Sequence, residues 1–379
     1  MKRVFPPLFV LVLIALFTFL LTNTDEQNEN VIEAKGVVIS VDNSEVVNTG
    51  IGRIGFQLAE VMLTGSRFKG ERVTAINNLL GQMEMDEFYE PGDKLITALL
   101  VQNGEIRDAK TINRYRQGWE LGLFGVFVVL LIVYARFIGL KALLSFVASL
   151  YILWKIFIPG LLGGGEPIFY TVVTLSLLTF VIIFSVAGFT KKGVAAFLGT
   201  ITGLAAAIAV TVFFGSRLGL MGMTQPFAQT LVLSGHMDLD MLRIFYASVI
   251  IGASGAAMDI AMDVAASMDE IKAKRPDIAM KELILSGFNV GRAVVGTMTT
   301  TLLLAYSGGY LTLIMLFVSR ETSFMRIMNF KLVAAEVFRT LTGSIGLVLV
   351  APVTALIAGW ILTMAGADKE EIESAETDS

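Results

Sequence analysis

The sequence contains no cysteine. That absence excludes disulfides, thiolate metal sites, lipobox acylation and cysteine nucleophiles together. Histidine is almost as scarce. His236 is the single copy, which leaves no HExxH motif and no histidine-rich metal cluster. Charge is thin as well: Asp, Glu, Lys and Arg make up 16% of the 379 residues, against roughly 25% in a soluble globular chain. The net charge of −4 reflects excess acid in the tail, so nucleic acid is not expected as a partner. No convincing internal repeat is present.

What fills the chain instead is hydrocarbon. Hydrophobic residues account for 55% of the sequence and the mean hydropathy is +0.72, which together indicate an integral membrane protein with the lipid bilayer as its first partner. Met1-Lys2-Arg3 precedes an apolar run, 4–22, with no small-x-small cleavage site before 24–30. We read 1–22 as an uncleaved signal anchor with its basic end inside. Segment 31–116 changes character. Apolar or alternating stretches at 37–41, 57–64 and 95–101 are separated by turn signals, Asp42-Asn43-Ser44, Gly65-Ser66, Pro91-Gly92-Asp93 and Asn103-Gly104. This spacing predicts a small β domain, an OB-like barrel or a sandwich. It lacks a basic-aromatic groove, so support or gating of the membrane part is the simpler role for it.

Residues 117–366 read as a multi-span helical domain. Spans are expected at 121–134, 142–158, 168–189, 194–214, 247–274 and 288–305. Residues 278–287 are amphipathic and predict an interfacial helix, with Asp277 as its cap. Residues 310–318 are apolar but short, consistent with a thin span or half of a re-entrant hairpin. The segment 332–364 is longer than a crossing requires, and Pro352 predicts a kink in it. Residues 367–379 form an acidic tail expected to be disordered. The basic groups Lys2/Arg3, Arg136/Lys141, Lys191/Lys192 and Lys272/Lys274/Arg275/Lys281 fall on alternate sides of successive spans. The positive-inside rule places all four in the cytoplasm and the β domain outside, giving a multi-pass protein with a cytoplasmic N-terminus.

One span carries two acids at its heart. Ser248, Gly252, Gly255, Asp259, Asp263 and Ser267 share a helical face, while the other faces are Ile, Val, Ala and Met. Carboxylates within a membrane point at other helices or at water rather than lipid. Two further stripes could answer them: Asn289, Arg292, Gly296 and Thr299 on one segment, and Glu336, Arg339, Gly343 and Gly346 on the last. Three acids against two bases leave one negative charge in excess. That count favours a proton, cation or small-solute site of a permease-like protein, built from Asp259, Asp263, Arg292, Glu336, Arg339, Asn289 and Thr299. The alternative is a static lattice, with Asp263–Arg292 and Glu336–Arg339 pairs and a neutral Asp259 hydrogen-bonded to Thr299 or Thr300.

Three long motifs carry a family resemblance: 252–272 (GASGAAMDIAMDVAASMDEIK), 291–309 (GRAVVGTMTTTLLLAYSGG) and 335–354 (AEVFRTLTGSIGLVLVAPVT). Together they resemble the YibE/F-like family of bacterial multi-span membrane proteins. The resemblance implies the fold and a location in the bacterial plasma membrane, and it assigns no biochemical activity.

Enzymatic chemistry finds little support. Gly252-Ala253-Ser254-Gly255 matches the GxSG around an intramembrane serine nucleophile, but such a serine needs a histidine on a facing helix, and His236 sits in a loop. Two acids on one helix also fail the geometry of an aspartyl dyad. No cofactor and no metal is expected. A membrane-protein partner or a homo-oligomer remains open, as does a non-transporting scaffold or assembly component acting through the extracytoplasmic domain.

Overall fold

The computed structural model describes residues 31–50, 52–83 and 85–377, with side chains to residue 363. The expected anchor at 1–22 lies outside the described residues. The described chain divides into two units, one ending at Arg136 and the other beginning at Phe137.

The first unit contains a β-barrel of five strands: β1 (Val31–Asn48), β2 (Arg53–Leu63), β3 (Arg72–Leu80), β4 (Lys94–Gln102) and β5 (Glu105–Arg114). They close in the order β1-β2-β3-β5-β4, so the OB-like barrel forms and the sandwich does not. All pairings are antiparallel except β3 with β5. Alternation places Gln57, Ala59, Val61 and Leu63 of β2 inside with Leu95, Thr97, Leu99 and Val101 of β4. Asn103 and Gly104, both at positive φ (54° and 86°), turn the β4–β5 hairpin as expected. Asp42-Asn43-Ser44 does not turn the chain. β1 runs through it with a bulge between Asp42 and Glu45, and a second register shift between Val38 and Ser40 lies where this 18-residue strand passes from β4 to β2. Gly55 opposes that bulge at φ 111°, where a Cβ would strike the Glu45 carbonyl.

The barrel interior holds a closed polar network. Gln57, fully buried, donates to Asn43 Oδ1 and to the Tyr89 carbonyl, both at 2.9 Å. Its Oε1 accepts from the Tyr89 amide at 3.0 Å and from Asn77 Nδ2 at 3.1 Å. Asn77 in turn donates to the Glu87 carbonyl and accepts from Thr111. The 87–89 loop is thereby tied to the barrel, and burial pushes the Tyr89 phenol up to about 12.

The helical part consists of α1 (Gln117–Ile152), a π-helical turn (Leu153–Phe157), α2 (Ile158–Leu162), α3 (Pro167–Ala187), α4 (Lys191–Arg217), α5 (Ala228–Leu233), α6 (Met241–Lys274), α7 (Met280–Gly309), α8 (Leu311–Ser319), α9 (Phe324–Met328) and α10 (Lys331–Thr377). Five helical stretches among the described residues are long and apolar enough to cross a membrane, or six if the bent pair α7 and α8 counts as one span. Gln117–Leu162 is 46 residues long, more than twice the roughly 20 a crossing needs. Its backbone leaves the helical region at Arg136 (φ 48°, ψ −122°), between the two spans expected there.

Within the second unit, α6 packs against α3, α4, α7 and α10. Small residues set the register. A Cβ on Gly343 of α10 would lie 3.4 Å from the Ala253 Cβ, and one on Gly291 of α7 would lie 3.0 Å from Ala351 and 3.7 Å from Val264. Gly287 packs on Met268 and Ala355, and Gly359 on Ile284. α10 therefore runs parallel to α6, and α7 runs antiparallel to both. One rim of the bundle carries Glu166 and Arg243, paired at 2.9 Å, and the start of α10. The other rim carries Lys192 and Asp269, paired at 3.7 Å, and the α6–α7 turn.

Several expectations are settled differently as a result. Residues 280–287 are the first turns of α7, as expected, but they do not lie apart from the bundle: Leu283, with Ile278 just ahead of the helix, is buried in its core. Asp277 does not cap it. Ala279 holds that position, and Lys272 closes the turn by donating to the Pro276 and Ile278 carbonyls. Of the two arrangements expected for 310–318, the bent pair fits a re-entrant hairpin or a broken span: α7 ends at the rim where α10 begins, and α8 bends away from α7 by 69°. Pro352 lies inside α10, whose helix continues to Thr377 through the stretch expected to be a disordered tail.

Candidate functional site

The acidic face of α6 forms as the helical spacing predicts. Ala253, Ala257, Ile260, Ala261, Val264, Ala265 and Met268 are buried, while Gly252, Gly255, Asp259 and Asp263 are exposed on the opposite side. Ser248 and Ser267 are half-buried at its ends, and Ser248 accepts a 2.7 Å hydrogen bond from Gln225. Asp259 and Asp263, one turn apart, make no ion pair and no hydrogen bond among the described residues. Helix α6 meets its neighbours with its alanine side and turns its acids outward.

Of the residues expected to answer them, Arg292 comes nearest in level. The contact between Gly291 and Val264 sets Arg292 beside the level of Asp263, yet no ion pair forms. Arg292 is exposed and donates instead to Asn289 Oδ1 at 3.2 Å on its own helix. Thr299 donates to the Val295 carbonyl at 2.8 Å, so its hydroxyl proton is spent within α7. Gly296 is exposed with nothing near its Cβ position.

Glu336 and Arg339 are not brought to the aspartates. Because α10 is parallel to α6, Glu336 is level with the first turns of α6, roughly 20 Å along the bundle from Asp259 at 1.5 Å per residue. For the last stripe to answer the aspartates, α10 would have to start at the Lys272–Lys281 rim, and it starts at the other. The two residues instead face each other, Nε to Oε2 at 3.6 Å, with side chains only 21% and 14% exposed. Phe245 lies 5.7 Å from the Arg339 guanidinium, and Tyr306 and Tyr310 stand against the pair. Glu336 Oε1, Arg339 Nε and the Tyr246 hydroxyl are buried without a hydrogen-bond partner. The structure thus holds two separate polar groups where one was expected.

Tyr306 and Tyr310 escaped sequence reasoning. Tyr306 also reaches α6, its hydroxyl lying 3.2 Å from where a Cβ on Gly252 would stand. The Ser307-Gly308-Gly309 break before Tyr310 was the available signal, since an interrupted hydrophobic segment marks a place where polar groups gather. Ser254, the serine of the GxSG pattern, is buried and donates to the Ile251 carbonyl at 2.7 Å. Among the described residues no group of three or more His, Cys, Asp or Glu is placed to hold a metal ion.

A family model described as YibE/F-like protein matches residues 123–364. No curated protein and no solved structure matches the chain.

Proposed function

The chain belongs to the YibE/F-like family, and from that premise we propose that it is a permease-like integral membrane protein whose acidic site is the Asp259/Asp263 face. The observation that carries this reading is the placement of two unpaired carboxylates on the outward face of the most deeply packed helix. A charge near a bilayer centre costs at least roughly 2.5–3.5 kcal/mol on insertion scales, so acids kept there are associated with moving a proton, cation or small solute. Asp259 is the site's exchangeable group and Asp263 its neighbour one turn nearer the basic rim.

In this reading the rim with Lys192, Lys272 and Lys274 is cytoplasmic, and the rim with Glu166, Arg243 and Lys331 is the outer one. The 3.7 Å Lys192–Asp269 pair supports one common side for two of the four basic groups. Arg217, Arg243, Arg320, Arg326 and Lys331 are then exceptions to the charge rule on the outer side. The membrane is the bacterial plasma membrane, with the N-terminus inside.

The test is flux in proteoliposomes carrying a pH-sensitive dye, under imposed proton and monovalent-cation gradients. The wild type is expected to dissipate at least one gradient, and Asp259→Asn with Asp263→Asn to abolish this at unchanged yield. Equal flux in the wild type and the double variant would refute the site.

A second reading, assembly through the barrel, is favoured by one observation. Val47, Ile54 and Leu80 stand in register across β1, β2 and β3 and are all exposed, with Phe56 beside them. If the barrel is the working surface, Ile54→Lys with Leu80→Lys removes activity while the two Asp→Asn changes leave it intact.

A further inference from the structure

The surface of α6 and α7 differs from that of the neighbouring helices. Elsewhere in the bundle large apolar side chains point outward, among them Phe146 and Leu150 on α1, Phe169 and Phe180 on α3, and Leu341 and Val348 on α10. On α6 no Leu, Ile, Val, Met, Phe or Trp is exposed. On α7, between 286 and 302, every exposed residue is Asn289, Arg292, Ala293, Gly296, Thr297, Thr300 or Thr301. A surface of glycine, threonine, acids and one arginine is unsuited to hydrocarbon and suited to close helix packing.

We propose that a second copy of this chain covers that face, packed about a twofold axis parallel to the helices, so that Asp263 of each copy pairs with Arg292 of the other. The inference rests on the membrane-embedded reading above and names what completes its site. Charge complementarity chooses the occupant. Among the described residues, one face bears two carboxylates with no cation and the adjacent helix bears a guanidinium with no carboxylate. A twofold axis along the helices preserves depth, so groups that meet across it must already be level within one chain. The Gly291–Val264 contact makes Asp263 and Arg292 level. Exposed Gly255 and Gly296, with nothing within 4 Å of their Cβ positions, leave room for the backbones to approach. Asp263 is neutralised in the pair, and Asp259 is left as the acid in excess, enclosed opposite the level of Gly296 and Thr300 of the other copy.

The full-length, cysteine-free chain permits a direct test. Two differently tagged copies, one with Gly255→Cys and the other with Thr300→Cys, are co-expressed in the membrane and oxidised. A disulfide joining the two tags is expected, with none between copies carrying Val348→Cys on the far side of the bundle. In nanodiscs, Asp263→Arg alone or Arg292→Asp alone is expected to lower the dimer fraction at least about tenfold, and the two together to restore it. A monomeric wild type without the crosslink overturns the proposal. So does a crosslink indifferent to the charge swap, or a different protein occupying the face in place of the second copy. The readout is mass and crosslinking, not flux. Dimers whose Asp→Asn variants still transport would sink the permease reading and leave the interface standing, whereas a monomer that loses flux on those changes would do the reverse.

Discussion

The Gln57 cluster of the barrel and the acids of the helical bundle are treated in opposite ways. In the barrel, Gln57 is sealed from water and both ends of its amide are satisfied by Asn43, Asn77 and the Tyr89 backbone. In the bundle, Asp259 and Asp263 point outward with no partner among the described residues, while Glu336 and Arg339 are half-enclosed with atoms left unbonded. A completed network holds one conformation, because breaking it strands several buried groups at once. An incomplete one costs stability and keeps a group available. The difference separates a cluster held in one arrangement from side chains that the fold leaves uncommitted.

Four changes would break or sharpen that contrast. The largest effect on stability is expected from Gln57→Ala, which strands the buried Tyr89 backbone and Asn77 together and should cost about 3 kcal/mol, read as loss of amide-exchange protection in β2 and β3. Next comes alkaline pH. The Tyr89 phenol sits at about 12 against an ordinary value of 10, so the folded state holds its proton more tightly than the unfolded chain does. Its contribution is complete below pH 10 and is lost as pH rises toward 12, and Tyr89→Phe should flatten that part of a melting-temperature profile. Asp259→Asn should shift stability by no more than about 0.5 kcal/mol, since it breaks no bond, while removing flux. A large fall in melting temperature with that substitution would mean the acid is structural after all. Smallest is Lys192→Ala: its partly exposed pair with Asp269 is worth below about 0.5 kcal/mol, within the error of most thermal melts.

The readable parts of the sequence were those governed by local rules. β4 alternates Leu95, Thr97, Leu99 and Val101 inward and is plain from its pattern. β3 and β5 are not, because RVTAINNLL and EIRDAKTINR place asparagine, alanine and threonine where large apolar residues would mark an inner face. Asp42-Asn43-Ser44 has turn chemistry, but Asn43 uses its amide oxygen on Gln57, and the strand absorbs the residues as a bulge. The stripe from Gly252 to Asp263 follows from spacing alone. The direction of α10 relative to α6 does not. It depends on whether nine residues, Leu311–Ser319, cross or turn back, and that length is apolar enough for either. One undecided parity moved Glu336 and Arg339 from one rim to the other.

The bend after Tyr310 carries one last implication. Because α7 completes its traverse first, and α8 buries none of its own side chains, the stretch up to Phe330 acts as a tether between two fixed helices rather than as a wall of the bundle. Lengthening it, or splicing an epitope into it, alters reach and leaves register untouched.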